Sequence, residues 1–234
     1  VERSRGLGDV YKRQVHGNLL GNGASLTVRC HPGIDPAQKP GSATDRYTAR
    51  PMHAAAYTPP FVALDGLNHT LRRDGFALLA AADVHRWLNA APAALDALHQ
   101  SWNQLPPDGF LKDGGRYRRR RHSCFVVNGQ RVQQVPHRAH WQPLEYNALH
   151  GGMQRWFEPM EPAVVADPLW QRILVTVGAA VSALHGERPW SVEAHPFRID
   201  TTDGIGRPTP EGAHRDGVDP VSYTHLRAHE TSLH

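Results

Sequence analysis

Pro210-Glu211-Gly212-Ala213-His214-Arg215-Asp216-Gly217-Val218-Asp219 is the stretch on which the reading of this 234-residue chain turns. The Gly/Pro-rich run from Asp200 to Gly212 reads as a loop, and Ala213 to Asp219 reads as the start of a strand. On an extended strand, positions i and i+2 share a face, so His214 and Asp216 present one imidazole and one carboxylate in the same direction. That is two-thirds of a 2-His-1-carboxylate facial triad, the mixed nitrogen and oxygen ligation that suits Fe(II) while leaving positions open for a chelating 2-oxo acid and dioxygen. Taken alone, His-x-Asp is a short pattern that a solvated loop histidine and aspartate also satisfy, so its surroundings decide.

Working back toward the N-terminus, Trp190 to Ile199 reads as a strand. Before it, Asp167-Pro168 opens the strongest helix, with the cap and the first-turn proline in their favoured places. Trp170, Ile173, Leu174, Val177, Val181 and Leu184 form its apolar stripe, and Gly186 stops it. Cys124 to Val127, then Asn128-Gly129, then Gln130 to Val135 reads as a hairpin with a type I′ turn centred on Asn-Gly. Residues 106–115 are Pro/Gly/Asp-rich loop. Further back, Pro92 starts a helix with Leu95, Leu98 and Trp102, and Asp83 is placed to cap one carrying Val84, Trp87 and Leu88. Leu64, Leu67 and Leu71 have helical spacing, and after Gly75 the run Phe76-Ala77-Leu78-Leu79 reads as a strand. No internal repeat is present.

Composition supports one domain with a core: 40% of residues are hydrophobic and 21% charged, the proportions of a soluble chain. No run of 18 apolar residues and no signal-peptide pattern is present, so a cytoplasmic location and no membrane partner are expected. Cys30 and Cys124 are too few for a disulfide framework, and Cys124 reads as a small buried hydrophobe. The net charge of +4 invites a nucleic-acid reading until the excess is located. Residues 1–14 and 15–51 each hold four basic and two acidic side chains, whereas 52–219 hold 17 of each, so the central region is neutral and no nucleic-acid partner is expected.

Both ends read as technical sequence. Ser4 to Gln14 (SRGLGDVYKRQ) reads as an in-frame translation of a sequencing-library transposon adapter, and Val221 to Thr231 (VSYTHLRAHET) as its reverse complement in another frame. The expected division is therefore 1–14 adapter-derived, 15–51 upstream read-through or a disordered tail without periodic apolar spacing, 52–219 the natural domain, and 220–234 adapter-derived. His225 and His229 are set aside as metal ligands on this ground.

Around the His-x-Asp pair, PEGAHRDGVD resembles the metal-binding segment of the bacterial Fe(II)/2-oxoglutarate-dependent dioxygenase family that includes free-amino-acid hydroxylases such as the L-isoleucine dioxygenases. Tyr117-Arg118-Arg119-Arg120-Arg121, Tyr146-Asn147, His150-Gly151-Gly152, Arg155-Trp156-Phe157-Glu158-Pro159 and Phe197-Arg198-Ile199 occur in the order that family shows. The resemblance covers about residues 52–219. It implies an α+β, mainly β fold: a double-stranded β-helix, jelly-roll and cupin-like, with flanking helices. It implies Fe(II) held by His214, Asp216 and a later His, with 2-oxoglutarate as cosubstrate bound by an Arg or Lys beyond that His. Since neither lies within this sequence, the domain is expected to be C-terminally truncated, the fragment inactive, and its intact parent a hydroxylase of a free amino acid or similar metabolite that consumes 2-oxoglutarate and dioxygen. The oligomeric state is left open.

Other residues carry alternatives. Arg198 could pair a carboxylate of substrate or cosubstrate if it faces the barrel interior; a surface strand arginine is the other reading. His195, three residues before it, falls on the opposite face and reads as a satisfied core histidine. Glu211 reads as a loop residue that closes or caps the segment before the ligands. Arg118 to Arg121 could bind phosphates, and alternating strand residues with ion-pair partners is the preferred account. A non-catalytic cupin-like binding module and an RNA-associated protein are the rival readings.

Overall fold

The computed structural model describes residues 23–32, 61–112, 114, 116–144, 147, 150–200 and 221–228. Its centre is an antiparallel sheet built on β5 (Trp190–Ile199). On one side of β5 lie, end to end, β2 (Arg118–Arg120) and β3 (Ser123–Asn128), and β3 continues to β4 (Arg131–Gln134). On the other side lies β1 (Gly23–Pro32), which pairs in turn with β6 (Val221–Ala228). The strand order is β4-β3-β5-β1-β6, with β2 beside β5. This antiparallel half-barrel with flanking helices fits a jelly-roll-like fold.

The interruption between β2 and β3 has a cause in the sequence. Pro196, in the middle of β5, has no N–H to give to a ladder. Its carbonyl accepts from Arg121 N at 3.1 Å, so the missing donor falls on the β2/β3 side. There the chain leaves the ladder, and His122 N bonds instead to Glu158 O at 3.0 Å. The result is a break that turns His122 toward the neighbouring loop.

The two faces of β5 follow its period of two. Trp190, Val192 and Ala194, with Phe125 and Val127 of β3, pack into one hydrophobic core against Trp170, Ile173, Leu174, Val177 and Val181. Those five belong to α5 (Pro168–His185), whose N-cap Asp167 accepts from Leu169 N at 2.7 Å, as the sequence predicts. Leu95 and Leu98 of α3 (Pro92–Gln100) and Trp102, in the short turn that follows, close the same core. The helix over Leu67–Asp74 (α1) ends at Gly75, whose φ of 77° makes the left-handed stop.

Several local expectations are corrected. Phe76 to Leu79 is not a strand; Leu78 O accepts from Val62 N at 2.9 Å. The next helix, α2 (Ala81–Trp87), starts with Ala80 at the N-cap position, which puts Asp83 inside the first turn rather than at the cap. The hairpin is present, but Asn128 still pairs with Arg131, so the two-residue loop is Gly129-Gln130. Among the described residues only Asn89 is a non-glycine with positive φ, and Gly129 has φ 55°. Positive φ at the first loop residue alone is the pattern of a type II′ turn, not type I′. A short helix (α4) spans Pro162–Val165.

β1 lies inside 15–51, a stretch expected to hold no periodic pattern. Ala24, Leu26, Val28 and Cys30 do alternate with Ser25, Thr27, Arg29 and His31, a half-buried strand pattern that was there to be read. β6 lies in the stretch set aside as 220–234. No helix among the described residues is long and apolar enough to cross a membrane.

Candidate metal and polar site

Opposite the hydrophobic core, the other face of β5 carries Glu193 and His195, two residues apart. Cys124 of β3 stands beside Glu193 in the register. His122, at the break between β2 and β3, and His140, from the loop after β4, complete a cluster. One ligand atom from each of His122, His140, Glu193 and His195 lies within 4.8 Å of the others, a spacing that one metal ion can bridge.

Glu193 is the centre. Its Oε2 is 3.0 Å from His140 Nδ1, 3.7 Å from His195 Nε2 and 3.9 Å from His122 Nε2. Its Oε1 accepts from Arg138 at 3.4 Å. Burial by itself would raise the pKa of this carboxyl; the hydrogen bond from His140 and the nearby His195 ring outweigh burial and hold it well below the usual range. At the two inner imidazoles burial dominates instead. Burial pushes His122 down to about 3, and it pushes His195 well below 6.5 despite the Glu193 carboxylate 3.7 Å away. Both rings are therefore neutral at pH 7, stacked with centroids 4.6 Å apart.

The walls are polar and ordered. Arg120 of β2 is buried, hydrogen-bonded to His195 Nδ1 and placed 4.0 Å over the Phe157 ring. His140 and Arg155 exchange backbone bonds of 2.9 and 3.0 Å, tying the loop that carries Phe157 across the cluster. Arg155 also donates to Gln142 Oε1 at 2.8 Å, which accepts Asn147 Nδ2 at 3.0 Å as well. Gly151 is a packing requirement of that loop: a Cβ there would meet Asn147 O at 2.4 Å and Pro143 O at 2.6 Å. Cys124 is buried as expected, but its Sγ also contacts His122 Nε2 at 3.5 Å and Arg138 Nε at 3.2 Å.

The residues singled out from sequence meet different fates. His214, Asp216 and Glu211 lie outside the described residues, as do His225's side chain and His229. Arg198 is turned to the helix side of the sheet, where it donates to Asn103 Oδ1 and Asp200 Oδ2, each at 3.3 Å. The structure does not bring it to the cluster. His195 is buried, as a core histidine should be, yet it stands among polar groups. In the arginine run, Arg118 pairs with buried Asp108 at 2.7 Å and Arg121 with Glu158 at 2.9 Å and Glu161 at 3.2 Å. These are the ion-pair partners the neutral charge balance called for.

His122, His140 and Glu193 were missed. One signal was available: Glu193-x-His195 repeats, on a strand read correctly, the i,i+2 arrangement that drew attention to His214 and Asp216.

A family model described as "2OG-Fe dioxygenase" matches residues 99–232. Among solved structures, a bsmA homolog from Methylobium petroleophilum PM1 is 47% identical, with a TM-score of 0.62; the match covers 68% of this chain and 64% of that one. No curated protein matches.

Proposed function

We infer that this chain, which belongs to the 2OG-Fe dioxygenase family, is part of an oxidoreductase that uses Fe(II), 2-oxoglutarate and dioxygen to hydroxylate a small molecule, in our reading a free amino acid or a similar metabolite. The observation that carries this is the position of His214-Arg215-Asp216 inside the matched span 99–232. We assign the metal to His214 and Asp216, with a third His supplied beyond them as the family pattern has it. When bound, iron and 2-oxoglutarate supply the oxidising power.

What this chain contributes is orientation and dryness. His122, His140, Glu193 and His195 form a buried polar group on one face of β5, and in our reading that face looks toward the iron. The buried polar cluster on that face offers a water-poor surface of fixed hydrogen bonds; it needs no reorganisation when a polar substrate arrives. The amino-acid reading rests on the resemblance of the matched motifs to free-amino-acid hydroxylases.

Because the match covers 64% of the solved relative, the activity proposed is that of the whole protein. The test is Fe(II)-dependent formation of succinate from 2-oxoglutarate, with free amino acids supplied singly and as a pool. Succinate formation should depend on one of them and vanish in His214→Ala and in Asp216→Ala. Turnover that survives both substitutions overturns the metal assignment, and absence of stimulation by any amino acid overturns the substrate class.

A further inference from the structure

His122, His140, Glu193 and His195 have the spacing of a metal site, and one hydrogen bond argues that they are kept from being one. A neutral imidazole carries a single proton, and a metal takes the nitrogen that lacks it. Arg120 bonds to His195 Nδ1. A guanidinium has only N–H donors and no acceptor, so Nδ1 is the accepting nitrogen and the proton of the neutral ring is on Nε2. That is the nitrogen facing Glu193, 3.7 Å from its Oε2. A metal bridging the four groups would need this nitrogen bare. Histidines that bind metals show the reverse pattern, donating their far N–H to a carboxylate, a carbonyl or water.

Charge acts in the same direction. Arg120 touches the cluster through His195, and Arg138 touches it through Glu193 Oε1. A divalent ion placed between them would add two positive charges beside the buried guanidinium of Arg120 and the half-exposed one of Arg138, with a single carboxylate to offset them. Arg120 is held in place by its own burial and by the Phe157 ring beneath it.

We propose that Arg120 is a positioning residue that fixes the tautomer of His195 and so keeps the His122/His140/Glu193/His195 group closed to divalent cations, leaving it a proton-ordered cage for the Glu193 carboxylate. Removing the donor opens the group: His195 moves its proton to Nδ1, and three imidazoles and a carboxylate then accept an ion of the Co(II) or Zn(II) class. The inference rests on the cluster alone, not on the assignment of iron to His214 and Asp216, and the experiment separates the two.

The protein carrying His214→Ala and Asp216→Ala, which removes the assigned iron pair, is titrated with Co(II) and followed by visible d–d absorption and by equilibrium dialysis. With Arg120 present, no stoichiometric binding is expected. Adding Arg120→Met should raise Co(II) affinity by about 10- to 100-fold, the scale on which outer-shell groups act on bound metals. Arg120→Lys, still an obligate donor, should restore exclusion. Stoichiometric Co(II) in the Arg120 protein overturns the proposal, and so does its absence in a folded Arg120→Met protein. If Arg120→Met does not fold, the tautomer decides. Long-range proton–nitrogen correlation on histidine-labelled, otherwise unaltered protein should show His195 protonated at Nε2, and protonation at Nδ1 refutes the idea.

Discussion

Acid should destabilise this protein well before its ordinary carboxylates titrate, and His122 shows why. An unfolded histidine takes up a proton near pH 6.5, whereas burial holds folded His122 neutral down to about pH 3. Between those values the unfolded chain binds the extra proton, so stability falls as pH falls. Going from pH 7 to pH 5 costs about 2 kcal/mol for one such histidine, from the 1.36 kcal/mol carried by each unit of difference. His195 is shifted in the same direction by its burial and adds a loss of the same sign. Glu193, whose folded pKa is lowered, contributes stability that is present above its unfolded value of about 4.5 and disappears below it as pH falls toward the folded value. All three act in one direction. The share of His122 alone, about 2 kcal/mol by pH 5, is a sizeable part of the roughly 5–15 kcal/mol typical of a folded domain. Urea unfolding at pH 7, 6 and 5, with chelator present throughout, measures this. His122→Gln isolates one share: its stability at pH 7 is free to differ, but its fall between pH 7 and 5 should be smaller by about 2 kcal/mol. Equal falls in the parent and in His122→Gln would refute the claim that this ring is held neutral in the folded state.

Three further substitutions test the frame that positions the cluster. Asp108→Asn takes the negative charge from a fully buried carboxylate 2.7 Å from Arg118, whose side chain is 8% exposed; chemical denaturation should show a loss of about 3–5 kcal/mol. Gly178→Ala sets two effects against each other, because alanine favours the helix by about 1 kcal/mol while its Cβ would stand 2.8 Å from Val127 Cγ1. The clash should win, and Val127→Ala in the same protein should reverse the sign, as a double-mutant cycle would reveal. Asp167→Ala removes the side-chain acceptor of Leu169 N and should cost about 1 kcal/mol, read from the thermal midpoint.

How much of this was legible depends on whether the governing interaction is local. α5 was, because a capping aspartate, a first-turn proline and an apolar stripe are all written within eighteen residues of one another. β5 was read to its ends despite Pro196, since its apolar alternation outweighs one missing donor. The Asn-Gly turn was misplaced by one residue because the dipeptide signals a turn but the pairing of Asn128 with Arg131 sets where the loop starts. Phe76 to Leu79 is not a strand for the complementary reason: apolar residues make a strand only where tertiary pairing builds a ladder, and four such residues do not encode that pairing locally.

The cluster shows where local reading stops. Its four members come from three places in the chain, 122, 140 and 193–195, and what joins them is the ladder break opposite Pro196 together with the loop tied by His140 and Arg155. Neither event has a signature at the histidines themselves. Half of it was nevertheless within reach, because the period-two rule applied to His214 and Asp216 puts Glu193 and His195 on one face of a strand that had already been recognised. A charged residue alternating with the inward apolar positions of a central strand must be held by partners from elsewhere, since an isolated buried carboxylate is too costly to keep. Glu193 thus requires donors close by, in a chain with 16 histidines and a neutral central region. The identity of those donors is tertiary information, and so is the one bond on which the chemistry of the group turns, from Arg120 to His195 across 75 residues.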